Sequence, residues 1–178
     1  MIIECPRRTR AATIEEIERA VDESLLEVLA VGDPTELEGR SGGKFTAKQI
    51  GTDHFAILSH QAGMITNDKG EKYTAFAIEK AVRAERNFLL HGHRSSFQSQ
   101  VQKLDRWPGA IICSFRRKYY AFGFSGLPWK YNEAIVLLAA IKLGYLRLEE
   151  AIKIARDQRQ TADVNHIFLM VAEHIVQA

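Results

Sequence analysis

The stretch Gly123-Phe124-Ser125-Gly126-Leu127-Pro128-Trp129 holds the residue types with the most chemical promise in this chain. A serine set between glycines can act as a nucleophile at a sharp strand-to-helix turn. That elbow requires G-x-S-x-G, however, and here the second glycine follows the serine directly. It also requires a parallel sheet and an acid and histidine further on; His166 and His174 do lie downstream, on a segment whose apolar pattern packing already explains. Gly126 and Pro128 turn the chain into a helix, and the free backbone N–H groups at such a helix start can hold an anion without covalent chemistry.

The six histidines raise the question of a metal. His91 and His93 flank Gly92 at an expected helix end, and His54 and His60 bracket an expected strand. Alternate residues of a strand project to one side and can share a metal, a geometry that a helix end does not supply. No Cys-x-x-Cys or H-E-x-x-H pattern accompanies them, so no metal is expected. Haem needs only one axial ligand and an apolar slot, so a haem or tetrapyrrole cofactor stays open at this point. Cys113 lies in the apolar run GAIICSF and reads as a small buried hydrophobe, whereas Cys5 beside Arg7 and Arg8 is the thiol with the more reactive setting.

A third chemistry is charge. Residues 13–38 carry nine acidic side chains against one basic, and residues 40–118 carry fourteen basic against six acidic, although the chain as a whole is only +2. Such polarity attracts an anionic ligand or nucleic acid, or neutralises itself within the fold or across a subunit interface. Arg116, Arg117 and Lys118, with Tyr119, Tyr120 and Trp107 interleaved nearby, offer the combination of stacking and positive charge that single-stranded nucleic acid requires. The same three cations are also what a solvated hairpin tip looks like.

The elements that must position these residues follow from periodicity. The segment TIEEIERAVDESLLEVLA is an amphipathic helix with a T-x-x-E capping box at Thr13 and Glu16, ended by Gly32, Asp33 and Pro34. DPTELEGRSGGK reads as an exposed, mobile loop, and GRSGGK lacks the spacing of a phosphate-binding loop. HFAILSH and GMITND read as a hairpin turning at residues 61–63, and TAFAIEKAVRAERNFLLHG as a helix stopped by Gly92. GAIICSF and YYAFGFSG form a second hairpin around Arg116, Arg117 and Lys118. A helix from about Pro128 follows, then two more, the last capped by Asp163. Helices alternating with antiparallel hairpins predict an α+β fold in one domain: a core over residues 13–145 and a helical extension over 146–178 that covers the sheet or pairs subunits. At 178 residues, 46% hydrophobic and 26% charged, the composition is that of a globular protein. No apolar run is long enough to span a bilayer and no signal-peptide pattern opens the chain, so a cytoplasmic protein without membrane partners is expected.

Taken in order, SHQAGMIT, Lys80-Ala81 with Ala84, and the hairpin ending in Ser125-Gly126 ahead of Glu133-Ala134 resemble the haem-binding/GlcG-like family. The resemblance spans about residues 13–145. The aspartate of the family's D-A-G-G turn is His60 here, and the helical tail has no counterpart. It implies a profilin-like antiparallel sheet with helices on it, homo-oligomers, and a ligand slot near Lys80, Ser125 and Gly126. With Arg83 and Trp129 added from the charge and position of the basic helix and the turn, the expectation is a non-catalytic small-ligand-binding or regulatory domain. Its ligand is anionic or tetrapyrrole-like. The alternative is a nucleic-acid or protein-partner module using Arg116, Arg117 and Lys118.

Overall fold

The computed structural model describes residues 9–52, 57–65, 68–156 and 165–177; Cys5, His54 and Asp163 lie outside them. The helices are α1 (Ile14–Val31), α2 (Pro34–Leu37), α3 (Gly70–His91), α4 (Trp129–Lys142), α5 (Leu148–Arg156) and α6 (His166–Gln177). The strands are β1 (Ser41–Gln49), β2 (Ile57–Met64), β3 (Ala110–Phe115) and β4 (Lys118–Ser125). They form one antiparallel sheet in the order β2-β1-β4-β3, so two hairpins are joined through their first and last strands. The fold is α+β, as the alternation of helices and hairpins predicts.

Helix α1 starts where the capping box requires. Thr13 Oγ1 accepts from the Glu16 N–H at 3.3 Å, and Glu16 Oε2 accepts from the Thr13 N–H at 2.8 Å, so two of the donors left free by the first turn are satisfied. Its buried face is Ala20, Val21, Ser24, Leu25 and Val28.

The sheet is covered on both faces. Phe45, Ile111, Cys113, Phe122 and Phe124 point into the larger core with α1, α4 and α6. Ala110, Ile112 and Ala121 point the other way, against Ala81 and Ala84 of α3. Small residues at Ala77, Ala81 and Ala84 let α3 lie close to the sheet. A Cβ at Gly123 of β4 would stand 2.5 Å from the Ala77 carbonyl oxygen, so contact at this distance depends on glycine. Helix α4 is buried on nearly every side from Tyr131 to Ile141, sandwiched between the sheet and the other helices. The helical tail joins this core: Ala151, Ile154, Ala155, Ile167, Phe168, Val171 and Ala172 are all buried in it. Asn165 caps α6, its Oδ1 accepting from the Phe168 N–H at 3.2 Å.

Two local expectations are corrected. Residues 61–63 are not a turn; they lie inside β2, where Gln61, Ala62 and Gly63 pair with Lys44, Gly43 and Gly42, and the first hairpin is β1 with β2. The stretch read as a loose glycine-rich loop is α2 followed by β1. Asp33 caps α2 by accepting from the Thr35 N–H at 2.7 Å, and Gly42 and Gly43 are buried strand residues. At Gly42 and Gly43 glycine serves close packing, whereas Gly39 and Gly63 hold positive φ, 73° and 68°. A Cβ on Gly43 would lie 2.5 Å from the Phe124 ring.

The second hairpin stands where expected, with a loop of only Arg116 and Arg117. Both have positive φ, 46° and 66°, the conformation of a type I′ turn, and Lys118 already belongs to β4. Cys113 is fully buried, and burial pushes its thiol well above the ordinary range, so it is inert as a nucleophile. No helix among the described residues is long and apolar enough to cross a membrane.

Candidate ligand pocket at the exit of strand β4

Strand β4 ends at Ser125, and Gly126 then turns the chain with φ 148°, a conformation open mainly to glycine. The turn is held from within. Asn132 Oδ1 accepts from the Leu127 N–H at 3.1 Å while its Nδ2 donates to the Leu127 carbonyl at 2.6 Å, both bonds buried. Pro128 then leads into Trp129, the first residue of α4. This rigid junction forms one wall of a cavity of about 420 Å³. Lys69, at the N-cap of α3, and the first half of that helix supply another wall, through Lys72, Tyr73, Phe76, Glu79 and Lys80, and Arg40, Asp105 and Trp107 complete it.

Lys80 is the chemical centre of the cavity. Only 4% of it is exposed, and its Nζ donates to the Phe124 carbonyl at 3.1 Å and to Ser125 Oγ at 3.3 Å. Burial, reinforced by the nearby Arg83 and opposed by Glu79 and Asp105, lowers its pKa from 10.5 to about 7. A lysine in this state is both a cation and a free amine near neutral pH, and so can bind an anion, accept a proton or act as a nucleophile.

The walls combine aromatic surface with positive charge. Tyr73, Phe76, Trp107 and Trp129 line the cavity. Trp129 packs against Phe97 at a centroid distance of 5.3 Å, and the Lys72 ammonium lies 5.3 Å from the centre of the Phe76 ring. Among the described residues, Lys69 and Lys72 make no ion pair. The two lining carboxylates are already engaged: Glu79 accepts from Arg83 at 2.8 Å, and Asp105 accepts from Trp107 Nε1 at 2.7 Å. Arg40 is shared with Glu38, at 2.9 Å. The balance of uncommitted charge at the cavity is positive.

Of the residues singled out from the sequence, Lys80, Ser125, Gly126 and Trp129 come together here. Arg83 does not line the cavity. Its guanidinium is taken up by Glu79, by the Ser96 and Ser99 carbonyls, each at 2.9 Å, and by the Trp107 carbonyl at 2.6 Å, so it ties the connector between α3 and β3 to the helix. Arg116, Arg117 and Lys118 sit at the far end of β4, with Lys118 roughly 23 Å from Ser125 at the usual rise of a strand, and none of them lines the cavity. Sequence reading missed Arg40, Tyr73, Phe76 and Asn132, and grouped Trp107 with the basic hairpin rather than with this site. Tyr73, Phe76 and Lys80 stand at i, i+3 and i+7, which places them on one helix face, and that spacing is the signal that could have found two of them.

The described histidines lie elsewhere. His60 is bound to Asp22 at 2.9 Å and stands 3.5 Å from Glu18, and the rings of His91 and His93 lie 5.7 Å apart. Among the described residues no three His, Cys, Asp or Glu side chains converge as a metal site would require. Of the side chains that commonly hold haem iron, the cavity lining offers Tyr73 alone among the described residues. Comparison of the chain with family models, with curated proteins and with solved structures finds no match in any of the three.

Proposed function

We propose that this protein is a small-ligand-binding or regulatory domain that takes an anionic molecule into the cavity beside Lys80. The single observation that carries this reading is the convergence on one concavity of a buried lysine, two cations that make no ion pair among the described residues, and four aromatic rings. The aromatic walls favour a flat or apolar body, and Arg40, Lys69 and Lys72 favour a carboxylate or phosphate on it. Support for the tetrapyrrole version is thinner, resting on Tyr73 as axial ligand and the same cations for propionates.

Isothermal titration with phenyl phosphate, benzoate and haemin tests the reading. Saturable binding of an aromatic anion, weakened at least tenfold by Lys72→Ala with Trp129→Ala, is expected. If none of the three binds and none raises the melting temperature, the reading is wrong. Absence of a Soret shift with haemin removes the tetrapyrrole version alone. We further propose a cytoplasmic location, supported by a buried free thiol at Cys113, and self-association, supported by exposed Leu89 and Leu90 at the end of α3. Light scattering on the purified chain decides the second.

A further inference from the structure

We propose that Lys80 captures its ligand covalently and reversibly, as an imine with the carbonyl carbon of a small anionic aldehyde or ketone. This inference rests on the ligand pocket proposed above and names the chemical class of its occupant.

An imine-forming lysine needs a free amine, a cavity that admits the carbonyl, a group to move protons, and an anchor that holds the rest of the molecule. Lys80 has each of these. The residue is 4% exposed and lines a cavity of about 420 Å³, and its amine bonds to Ser125 Oγ, a second lining residue of that cavity. With its pKa near 7, about half of the amine is uncharged at neutral pH, roughly a thousandfold more than for an ordinary exposed lysine. Ser125 Oγ, 3.3 Å from Nζ, is placed to pass a proton between nitrogen and oxygen. Lys69 and Lys72, which make no ion pair among the described residues, stand ready for a phosphate or carboxylate, with Arg40 beside them although shared with Glu38, and Tyr73, Phe76, Trp107 and Trp129 for a flat ring. A pocket that binds an anion by charge alone gains most from a permanent cation, whereas a lysine that burial holds partly uncharged near neutral pH also supplies the free amine that nucleophilic attack requires.

The step balances without an oxidant or reductant. The nitrogen lone pair attacks the carbonyl carbon, a C–N bond forms, and the π pair moves to oxygen, which takes a proton from nitrogen to give the carbinolamine. Nitrogen then loses its second proton as the C–O bond breaks, and one water leaves with formation of the C=N bond. Hydrolysis runs the same path backwards and releases the ligand.

The test uses pyridoxal 5′-phosphate and glyoxylate as carbonyl probes, trapped with cyanoborohydride on the full chain at neutral pH. Pyridoxine 5′-phosphate, which has the same ring and phosphate but no carbonyl, is the control ligand. The expected result is one adduct per chain, mapped by peptide mass spectrometry to Lys80, formed at least tenfold faster than on any other lysine and slowed by pyridoxine 5′-phosphate. Lys80→Arg abolishes that adduct, and Arg40→Ala with Lys72→Ala, which leaves the amine in place, slows it about tenfold. Saturable binding of pyridoxine 5′-phosphate with no preference for Lys80 among the trapped lysines overturns the covalent inference and leaves the pocket standing. Failure of all three probes to bind overturns both. Mapping on the unaltered chain decides the matter even if Lys80→Arg does not fold.

Discussion

Burying Lys80 has a consequence for stability that can be measured without any ligand. The folded chain holds the amine at a pKa of about 7, chiefly because burial disfavours its charge. In the unfolded chain it returns to about 10.4. Between these values the unfolded state binds a proton that the folded state has largely released, so stability rises with pH across the interval. Working the linkage for a single group gives a gain of about 2 kcal/mol between pH 7 and pH 9, the folded amine being already half neutral at the lower limit. The other titrating groups of the chain contribute their own slope, so the quantity to read is a difference. Urea unfolding of the unaltered protein and of Lys80→Met, at half-unit steps across that range, yields two curves of stability against pH. Their difference isolates residue 80. The unaltered chain gains about 2 kcal/mol relative to Lys80→Met, with unchanged m-values. A flat difference refutes the reasoning, because it means that the amine keeps its charge in the folded state and that the cavity solvates it as well as water does.

Other consequences follow from packing and turn geometry. Gly123→Ala puts a methyl group 2.5 Å from the Ala77 carbonyl oxygen, which α3 must move to relieve, and a loss of about 3 kcal/mol is expected in chemical unfolding. Arg116→Asn with Arg117→Gly replaces two side chains held at positive φ by residues suited to a type I′ turn, and raises stability by about 1–2 kcal/mol in the same assay. Arg83→Met frees the connector from α3 by removing bonds to the Ser96, Ser99 and Trp107 carbonyls; the expected cost is about 3 kcal/mol, with faster proteolysis between residues 95 and 107. Thr13→Ala removes half of the capping box and costs about 1 kcal/mol, read from the thermal midpoint.

The parts of this fold that were legible in the sequence are those where one physical requirement governs the pattern. Helix α1 declared itself because its stripe and its cap act locally, and β3 and β4 because apolar runs flank a short basic turn. The first hairpin was misplaced because glycine answers to two requirements with the same letter. At Gly126 it serves a turn. At Gly42 and Gly43 it lets another strand come close, and nothing within a few residues of them reports the neighbour that makes it necessary. The same holds for the cavity. Ser125, Gly126 and Trp129 are adjacent in the chain and could be read as a junction, whereas Arg40 and Trp107 reach the site only through tertiary folding. Arg83 looked like a ligand residue because charge shows in a sequence and the carbonyls that engage it do not.

The sheet order bears on when the cavity comes into being. Strands β1 and β4 lie side by side at its centre, yet Lys44 and Ser125, partners in that ladder, are separated by roughly eighty residues. Each hairpin forms from neighbouring chain and can close in microseconds, but joining them requires the closure of a long loop before any contact across the seam is gained. The cavity opens at the end of that seam, where β4 leaves the sheet next to the start of β1. Its lining runs from Arg40 to Asn132, so a nascent chain acquires it only after the start of α4 has been made and the two halves have met. Ligand recognition in this protein therefore waits on the meeting of the two hairpins with the start of α4, and recovery of binding during refolding is expected to track the step that joins them.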